Sequence, residues 1–199
     1  MAKLVNWPFF EATIRQKKFG LFSALEIRRL FGVSKVAATF LLHRYSKKKL
    51  IVQVRRGLYS LAGAVPPDLY IANKIYEPSY VSLETALSYH RVIPETVYAI
   101  TSVTPKATRR FSSLGKAFIY RTIKRAAFTG YAVERLKGYG FLMADPEKAF
   151  VDSNYLRLRE GRSPLLRFNR DKIRPSKALR YARLFGSPKL TDIVKNSMQ

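Results

Sequence analysis

Apolar positions in the first third of the chain recur at the spacing of short helices. The segment SALEIRRLFG begins with Ser23 and has Glu26 three places later, which is the capping box of a helix N-terminus. Gly32 follows the last apolar residue, and glycine readily adopts the left-handed conformation that ends a helix. The pattern therefore predicts one short helix between Ser23 and Gly32.

A second helix is predicted directly after this glycine, from a cap at Ser34 to about Lys48. Its buried face has the i, i+4, i+7 spacing and consists of Ala38, Leu42 and Tyr45. The opposite face consists of Lys35, Thr39, His43 and Lys47, with Arg44 beside it. Two helices joined by a tight glycine turn form a helix-turn-helix, whose second helix places exposed side chains in the DNA major groove.

Two short runs of alternating apolar and polar residues come next, LIVQV and LYSLA, on either side of Arg55, Arg56 and Gly57. Such alternation around a glycine predicts a β-hairpin. A hairpin that follows a helix-turn-helix forms the wing of a winged helix-turn-helix. Paired arginines on a wing contact phosphates or reach the adjacent minor groove, which positions the protein without selecting a sequence.

A linker is predicted in the segment AVPPDLY, because Pro66 and Pro67 cannot continue a central strand. It separates two predicted domains, residues 1–66 and residues 67–199. The second domain mixes both kinds of element. Ser82 is a predicted helix cap, the runs TVYAITSV, AFIYRTI and YGFLMA favour strands, and the pair Asp145-Pro146 opens a helix over EKAFVDSNYLRL. The predicted fold class is α+β.

The segment RPSKALRYARLFGSPKL near the C-terminus predicts an amphipathic helix that Gly186 ends, and Ser187 with Pro188 then starts a last helix. The apolar face of the amphipathic helix is marked by Leu179, Ala182 and Phe185. The basic face is a candidate second surface for nucleic acid or an acidic partner, unless it is merely solvated, and consists of Lys177, Arg180 and Arg183.

The net charge of the chain and its distribution indicate a class of function. The chain has 37 Lys plus Arg against 13 Asp plus Glu, a net charge of +24. Residues 1–66 carry thirteen basic and two acidic side chains, or +11, and residues 153–199 carry twelve and three, or +9. Such an excess attracts polyanions, most often nucleic acid and less often an anionic membrane. We therefore predict a nucleic-acid-binding protein with these DNA-binding residues: Ser34, Lys35, Thr39, His43, Arg44, Lys47, Lys48, Arg55, Arg56 and Tyr59.

Compartment and membrane association follow from what the sequence lacks. The chain has no cysteine, which fits a reducing compartment and excludes thiol chemistry. No apolar run approaches the roughly 20 residues of a membrane span, and the start MAKLVNWPFFEATIRQ lacks the apolar core of a signal peptide. We therefore expect a cytoplasmic protein with no membrane partner.

Enzymatic chemistry has one candidate cluster, in which a nuclease would gather carboxylates and a lysine around a metal ion: Asp145, Glu147, Lys148 and Asp152. A helix start already accounts for Asp145 as a cap and for Glu147 as a favourable first-turn charge. The phosphate-binding, hydrolase and dinucleotide motifs are absent from the sequence, and two histidines do not make a metal site. We expect no catalysis, no metal and no cofactor.

The segment LFSALEIRRLFGVSKVAATFLLHRYSKKKLIVQVRRGLYSLAG resembles the N-terminal winged helix of the AbiEi family, the antitoxin and regulator half of type IV toxin-antitoxin systems of abortive infection. The R-x-G-x-Y end of the family's wing is Arg55 to Tyr59 here, and many relatives carry glycine where this chain has Lys49. Later motifs extend the resemblance over nearly the whole chain: Ala72–Ile75, Pro78–Leu87, Val97–Thr104 and Ala144–Asp152.

The resemblance implies an autorepressor that binds inverted repeats in its own promoter, while the C-terminal domain opposes a nucleotidyltransferase-type toxin. Cooperative or oligomeric binding to DNA is left open. Two alternatives from other classes also remain at this point. One is an RNA-associated or ribosome-associated basic protein, which would prefer folded RNA to duplex DNA. The other is a metal-dependent nuclease centred on residues 145–152, whose cleavage would be lost in Glu147→Ala.

Overall fold

The computed structural model describes residues 5–198 and divides the chain into two units, Met1–Pro67 (unit 1) and Asp68–Gln199 (unit 2). Residues 1–4, on which the signal-peptide argument partly rests, lie outside the described residues. The described residues combine helices with strands, so the α+β prediction is confirmed.

Unit 1 consists of helices followed by a hairpin, in the order α1 (Trp7–Gln16), α2 (Ala24–Phe31), α3 (Lys35–Lys47), β1 (Ile51–Arg55) and β2 (Leu58–Leu61). Helix α1 was not predicted. Its cap is Asn6, whose side chain accepts a hydrogen bond from the Phe9 backbone at 3.0 Å, and a proline lies in its first turn.

The core of unit 1 is built around one aromatic side chain, Phe10, which is fully buried. Its ring lies 5.0 Å from that of Tyr45, 5.3 Å from Phe31 and 5.7 Å from Phe22. These rings come from α1, α2, α3 and the segment before α2. Aromatic contacts of this kind add about 0.5–1.5 kcal/mol per pair beyond the area they bury, and they join the helices of the unit.

Helix α2 begins and ends as predicted. The Glu26 carboxylate accepts hydrogen bonds from the backbone N–H of Ser23 at 2.5 Å and from its hydroxyl, which completes the capping box. Gly32 ends the helix with φ +65°, a left-handed conformation that costs glycine nothing. The Ser34 hydroxyl then caps α3, accepting from the backbone of Ala37 at 3.1 Å, so both predicted caps are confirmed.

The hairpin pairs β1 with β2 in antiparallel register, with Ile51 opposite Leu61 and a bulge between Gln53 and Arg55. A further backbone pair joins Phe22, in the segment before α2, to Tyr59 of β2. Each of these residues donates its N–H to the other's carbonyl at 2.9 Å. The hairpin is therefore fixed to the start of α2 as well as following α3.

Unit 2 contains a sheet and a group of helices. Its strands are β3 (Tyr80–Val81), β4 (Ile100–Thr104), β5 (Arg109–Ser113), β6 (Lys116–Thr122), β7 (Tyr131–Leu136) and β8 (Tyr139–Ala144). They form one mixed sheet in the order β5-β6-β4-β3-β8-β7, in which β4 is parallel to β6 and β3 is parallel to β8. All five residues of the central strand β4 are buried.

The helices of unit 2 are α4 (Asp68–Ile75), α5 (Leu83–Tyr89), α6 (Pro146–Arg159), α7 (Pro175–Arg183) and α8 (Pro188–Ser197). Helix α6 contacts α5, α7 and α8, and every residue from Glu147 to Leu156 is buried. The predicted cap at Asp145 is confirmed, since its carboxylate accepts a hydrogen bond from the Lys148 backbone at 2.8 Å.

Several predicted boundaries in unit 2 were wrong. The linker ends at Pro67, because Asp68 is already the first residue of α4. An acidic side chain is favourable in the first turn of a helix. In the run TVYAITSV the strand begins only at Ile100, where the chain first pairs with its neighbours. Helix α7 ends at Arg183 rather than at Gly186, because the backbone from Leu184 onward bonds three residues back instead of four.

The cap at Ser82 has the predicted position but a different role for its side chain. Helix α5 does begin at Leu83. The Ser82 hydroxyl, however, makes no cap hydrogen bond and donates instead to the buried Asp152 carboxylate at 2.8 Å. The hydroxyl bonds the carboxylate rather than a backbone amide of α5, because a hydrogen bond to a charged group is stronger than one to a neutral group.

Candidate nucleic-acid interface

The outward face of α3 is set by the side chains that the helix buries. Ala38, Leu41, Leu42 and Tyr45 form its core face. Side chains turn by about 100° per residue along a helix, so the opposite side is exposed and is shared by polar, basic and apolar residues. The residues predicted there, Lys35, Thr39, His43 and Lys47, are all exposed.

Two apolar side chains also lie on this face. Val36 is 78% exposed and Phe40 is 67% exposed. They stand one turn apart, at i and i+4, and are followed by His43 and Lys47 at i+7 and i+11, so these four residues form one stripe along α3. The stripe lies directly opposite the core face, and Val36 and Phe40 were missed by the sequence analysis.

Arg44 is exposed and lies at the edge of the same face. Its guanidinium donates hydrogen bonds to the backbone carbonyl of Val5 at 3.3 Å and to the hydroxyl of Tyr45 at 3.2 Å, and it lies 5.0 Å from the centre of the Tyr45 ring. Arg44 therefore connects α3 to the segment before α1 while keeping its charge near the surface.

The hairpin presents Arg55 and Arg56 to solvent at its tip, where Gly57 adopts φ +80°. Tyr59 is half-buried, and its backbone is paired with that of Phe22. Lys48 is exposed at the end of α3, and Lys49 follows it with φ +57°. Unit 1 therefore brings together the predicted DNA-binding residues, seven on α3 and its two caps and three on the hairpin.

The predicted second basic surface on α7 is only partly present. Arg180 and Arg183 are exposed. Lys177 is instead 20% exposed and forms ion pairs with Asp145 at 2.7 Å and with Glu147 at 3.2 Å. Its charge is balanced within unit 2, so Lys177 does not add to a surface potential for nucleic acid.

The carboxylates of the nuclease hypothesis fall into two separate groups. In the first, Asp145 accepts hydrogen bonds from the Tyr181 hydroxyl at 2.6 Å and from Lys177, and Glu147 accepts from the Arg174 side chain at 2.7 Å. Burial raises the pKa of Glu147, but hydrogen bonds from Arg174, its own backbone and Lys177 outweigh burial and lower the pKa from 4.5 to about 2.

The second group is fully buried. Asp152 and Lys148 form an ion pair one turn apart on α6, and neither side chain has any exposed surface. The other Asp152 oxygen accepts hydrogen bonds from the Tyr80 hydroxyl at 3.0 Å and from Ser82. Burial raises the pKa of Asp152, and the nearby Lys148 charge opposes this. All carboxylates of the hypothesis thus have protein partners, and these partners hold them apart as two internal networks.

Within residues 5–198, no group of three or more His, Asp or Glu side chains is arranged to bind a metal ion. In the same part of the chain, no helix is both long and apolar enough to cross a membrane.

Part of unit 1 is similar to a known protein family. A comparison with curated protein sequences gives no match. Residues 11–62 match the family described as "Transcriptional regulator, AbiEi antitoxin". The match spans the region from α1 to β2 and therefore includes the outward face of α3 and the hairpin arginines. The N-terminal segment is therefore similar to the AbiEi antitoxins, a family of transcriptional regulators.

Proposed function

We propose that unit 1 is a winged helix-turn-helix that binds double-stranded DNA. Helices α2 and α3 are the helix-turn-helix, α3 is the recognition helix, and the β1–β2 hairpin is the wing. One observation carries the proposal: the exposed side of α3 carries the cationic side chains Lys35, Arg44 and Lys47, and exposed arginines follow on the hairpin tip.

The residues of unit 1 have different roles in this complex. Lys35, Thr39 and His43 lie on the exposed side of α3 and contact base edges in the major groove. Ser34 caps α3 at the end where backbone N–H groups attract a phosphate. The residues that contact phosphates or the minor groove are Arg44, Lys47, Lys48, Arg55, Arg56 and Tyr59.

The family description supports a regulatory role, and we propose that the target is the chain's own promoter, at inverted repeats. Inverted repeats suit a protein that binds as two or more copies, since the symmetry of the site mirrors that of the protein. We further propose that unit 2 opposes a nucleotidyltransferase-type toxin, and that the protein acts in the cytoplasm, where the promoter lies. No catalytic step is assigned, because the candidate carboxylates are engaged by Lys148, Arg174, Lys177 and Tyr181.

The direct test is a gel-shift titration of the purified protein against the DNA upstream of its gene, with a scrambled duplex of equal length as competitor, at two salt concentrations. Sequence-specific binding survives both the competitor and the higher salt. Binding that disappears with salt and ignores sequence would contradict specific recognition. It would show only that a protein with a net charge of +24 is attracted to phosphates. A preference for folded RNA over either duplex would contradict the proposal.

The wing is tested by Arg55→Ala/Arg56→Ala. The double variant should bind every duplex more weakly, and the slope of log affinity against log salt should fall by about 2, because two phosphate contacts are lost. Lys189→Ala/Lys195→Ala removes the same charge from exposed positions on α8 and serves as the control. Equal effects of the two double variants would remove the wing from the proposal.

A further inference from the structure

The exposed apolar side chains of α3 lie outside the hydrophobic core of unit 1. Single exposed apolar residues are common on protein surfaces. Val36 and Phe40, however, lie one turn apart at the centre of the face that has Lys35 on one side and Arg44 on the other. Apolar area in solvent gains nothing from the hydrophobic effect until a partner covers it.

The surroundings of this pair identify the partner. Exposed cationic side chains lie around it on α3, and residues 1–66 carry a net charge of +11. A second copy of the same face would bring like charges together, whereas DNA brings phosphates to the lysines and arginines. The occupant must therefore be polyanionic at its edges and apolar at its centre.

The major groove of DNA has this combination at one kind of base. Thymine carries a C5-methyl group on its major-groove edge, and apolar side chains recognise thymine by contact with that methyl. We propose that Val36 and Phe40 contact thymine methyl groups when α3 lies in the major groove, so that the pair selects A·T base pairs at fixed positions of the target. This inference rests on the proposed function, since it requires α3 to be the recognition helix.

The geometry favours these two residues over the polar ones as the deepest contact. The stripe formed by Val36, Phe40, His43 and Lys47 is opposite the core face of α3, so it faces the floor of the groove. The Thr39 hydroxyl already donates to the Lys35 carbonyl at 3.0 Å, so at a base edge it can accept a hydrogen bond but not donate one. Lys35 and Thr39 then lie towards one wall of the groove.

The test replaces thymine by deoxyuridine, which lacks the methyl group and keeps the base pair and its hydrogen-bonding groups. A target is first selected from a random duplex library with the wild-type protein, and the selected duplex is remade with deoxyuridine at one thymine position at a time. At each contacted thymine the affinity should fall about fourfold, because burying one methyl-sized group is worth about 0.8 kcal/mol.

The variants assign the contact to its side chains. Val36→Ala and Phe40→Ala should bind the thymine duplex more weakly and should lose sensitivity to deoxyuridine at one position each. Leu25→Ala is the matched control, because Leu25 is an exposed apolar residue of α2 outside the proposed contact face, and this variant should keep full sensitivity at every position. All three positions are exposed, so none of these changes removes a core contact.

The outcomes separate this inference from the proposed function. A selected sequence that wild-type protein binds equally well with thymine and with deoxyuridine at every position would overturn the inference and leave DNA recognition standing. Loss of sensitivity in Leu25→Ala but not in Phe40→Ala would also overturn it. Enrichment of no sequence at all would overturn both, and a dimer that Phe40→Ala dissociates would identify a second copy as the occupant instead.

Discussion

Helices α3 and α6 reverse the usual distribution of side chains in opposite ways. Helix α3 leaves Val36 and Phe40 in solvent, whereas α6 buries Lys148 and Asp152 completely. The internal charges have partners of their own, since Asp152 is paired with Lys148 and also accepts a hydrogen bond from Tyr80. The exposed apolar pair has most of its surface open. The buried charges of α6 are thus satisfied within the fold, whereas the apolar pair of α3 is open to the partner proposed above.

The comparison also shows that a basic residue adds to the surface charge only where its side chain is exposed. Lys148 contributes to the net charge of +24 without contributing to the surface, because it is fully buried. Its ammonium lies 4.9 Å from the Phe185 ring and 5.7 Å from the Tyr80 ring, so two aromatic faces stabilise the charge inside unit 2. Lys47, by contrast, is exposed and available to a phosphate.

The largest expected effect is the loss of the buried pair. Lys148→Met leaves the Asp152 carboxylate buried without its counter-charge, and it should lower the free energy of unfolding by about 3–5 kcal/mol. The measurement is urea-induced unfolding at neutral pH. Lys74→Met breaks the exposed pair with Glu77 and is the control, with an expected loss of at most about 0.5 kcal/mol.

The double variant Lys148→Met/Asp152→Leu sharpens this prediction. It removes both charges, so it should recover part of the loss, but not all, because the hydroxyls of Tyr80 and Ser82 lose their acceptor. A single variant Lys148→Met as stable as Lys74→Met would show that burial of charge in α6 is not a requirement of the fold.

The next effect is a pH dependence that comes from Glu147. Its pKa is 4.5 ordinarily and about 2 in the folded protein, so folding favours the charged form. The resulting stabilisation is complete above about pH 4.5 and is lost as the pH falls towards 2, where the folded state also takes up the proton. The shift corresponds to about 3 kcal/mol.

Glu147→Gln should remove this part of the pH dependence. The difference in unfolding free energy between wild type and variant should shrink between pH 4.5 and 2, measured by urea unfolding at several pH values. Glu95→Gln changes an exposed carboxylate and controls for overall charge. A difference that stays constant with pH for Glu147→Gln would contradict the assignment.

A smaller effect is expected at the end of α3. Lys49 adopts φ +57°, a left-handed conformation that costs a residue with a Cβ about 1–2 kcal/mol. Lys49→Gly should therefore raise the free energy of unfolding by about 1 kcal/mol, measured by urea unfolding. Lys48→Gly removes the same charge at φ −80°, where no strain is relieved, so it should bring no gain. A gain in both variants would point to charge repulsion rather than to backbone strain.

The smallest effect is expected for the exposed apolar pair itself. Val36→Ala and Phe40→Ala should each change the free energy of unfolding by no more than about 0.5 kcal/mol, as substitutions of exposed residues usually do. Phe10→Ala is the matched control in the core, with an expected loss of about 3–5 kcal/mol. If thermal unfolding showed Phe40→Ala to be as destabilising as Phe10→Ala, Phe40 would be covered in solution and the contrast with α6 would fail.

What the sequence predicted well is local. The caps of α2 and α3 depend on residues three places apart, such as Ser23 with Glu26, and a linear pattern contains all the necessary information. Helix α1 had comparable signals in Asn6 and in the following proline, together with buried Phe10 and Ile14 at i, i+4, and these signals were overlooked.

The features that were not predicted depend on partners distant in the sequence or on the direction in which a helix side chain points. The Lys148–Asp152 pair fits both a metal site and an internal ion pair until Tyr80 and Ser82 are brought to it from another part of the chain. Val36 and Phe40 were not predicted, because the helix was assigned from the spacing of its buried residues. Angular spacing alone places them opposite Ala38 and Tyr45, so the signal was present in the sequence.

The backbone pair between Phe22 and Tyr59 fixes a distance within unit 1. The two hydrogen bonds of this pair tie the β1–β2 hairpin to the start of α2. In the proposed complex, a phosphate held at the wing tip and a base held by α3 are therefore read at one fixed separation. A target with two base pairs inserted between these contact points would therefore bind more weakly, because the protein cannot lengthen to match it. Each contacting group would still be present in both partners.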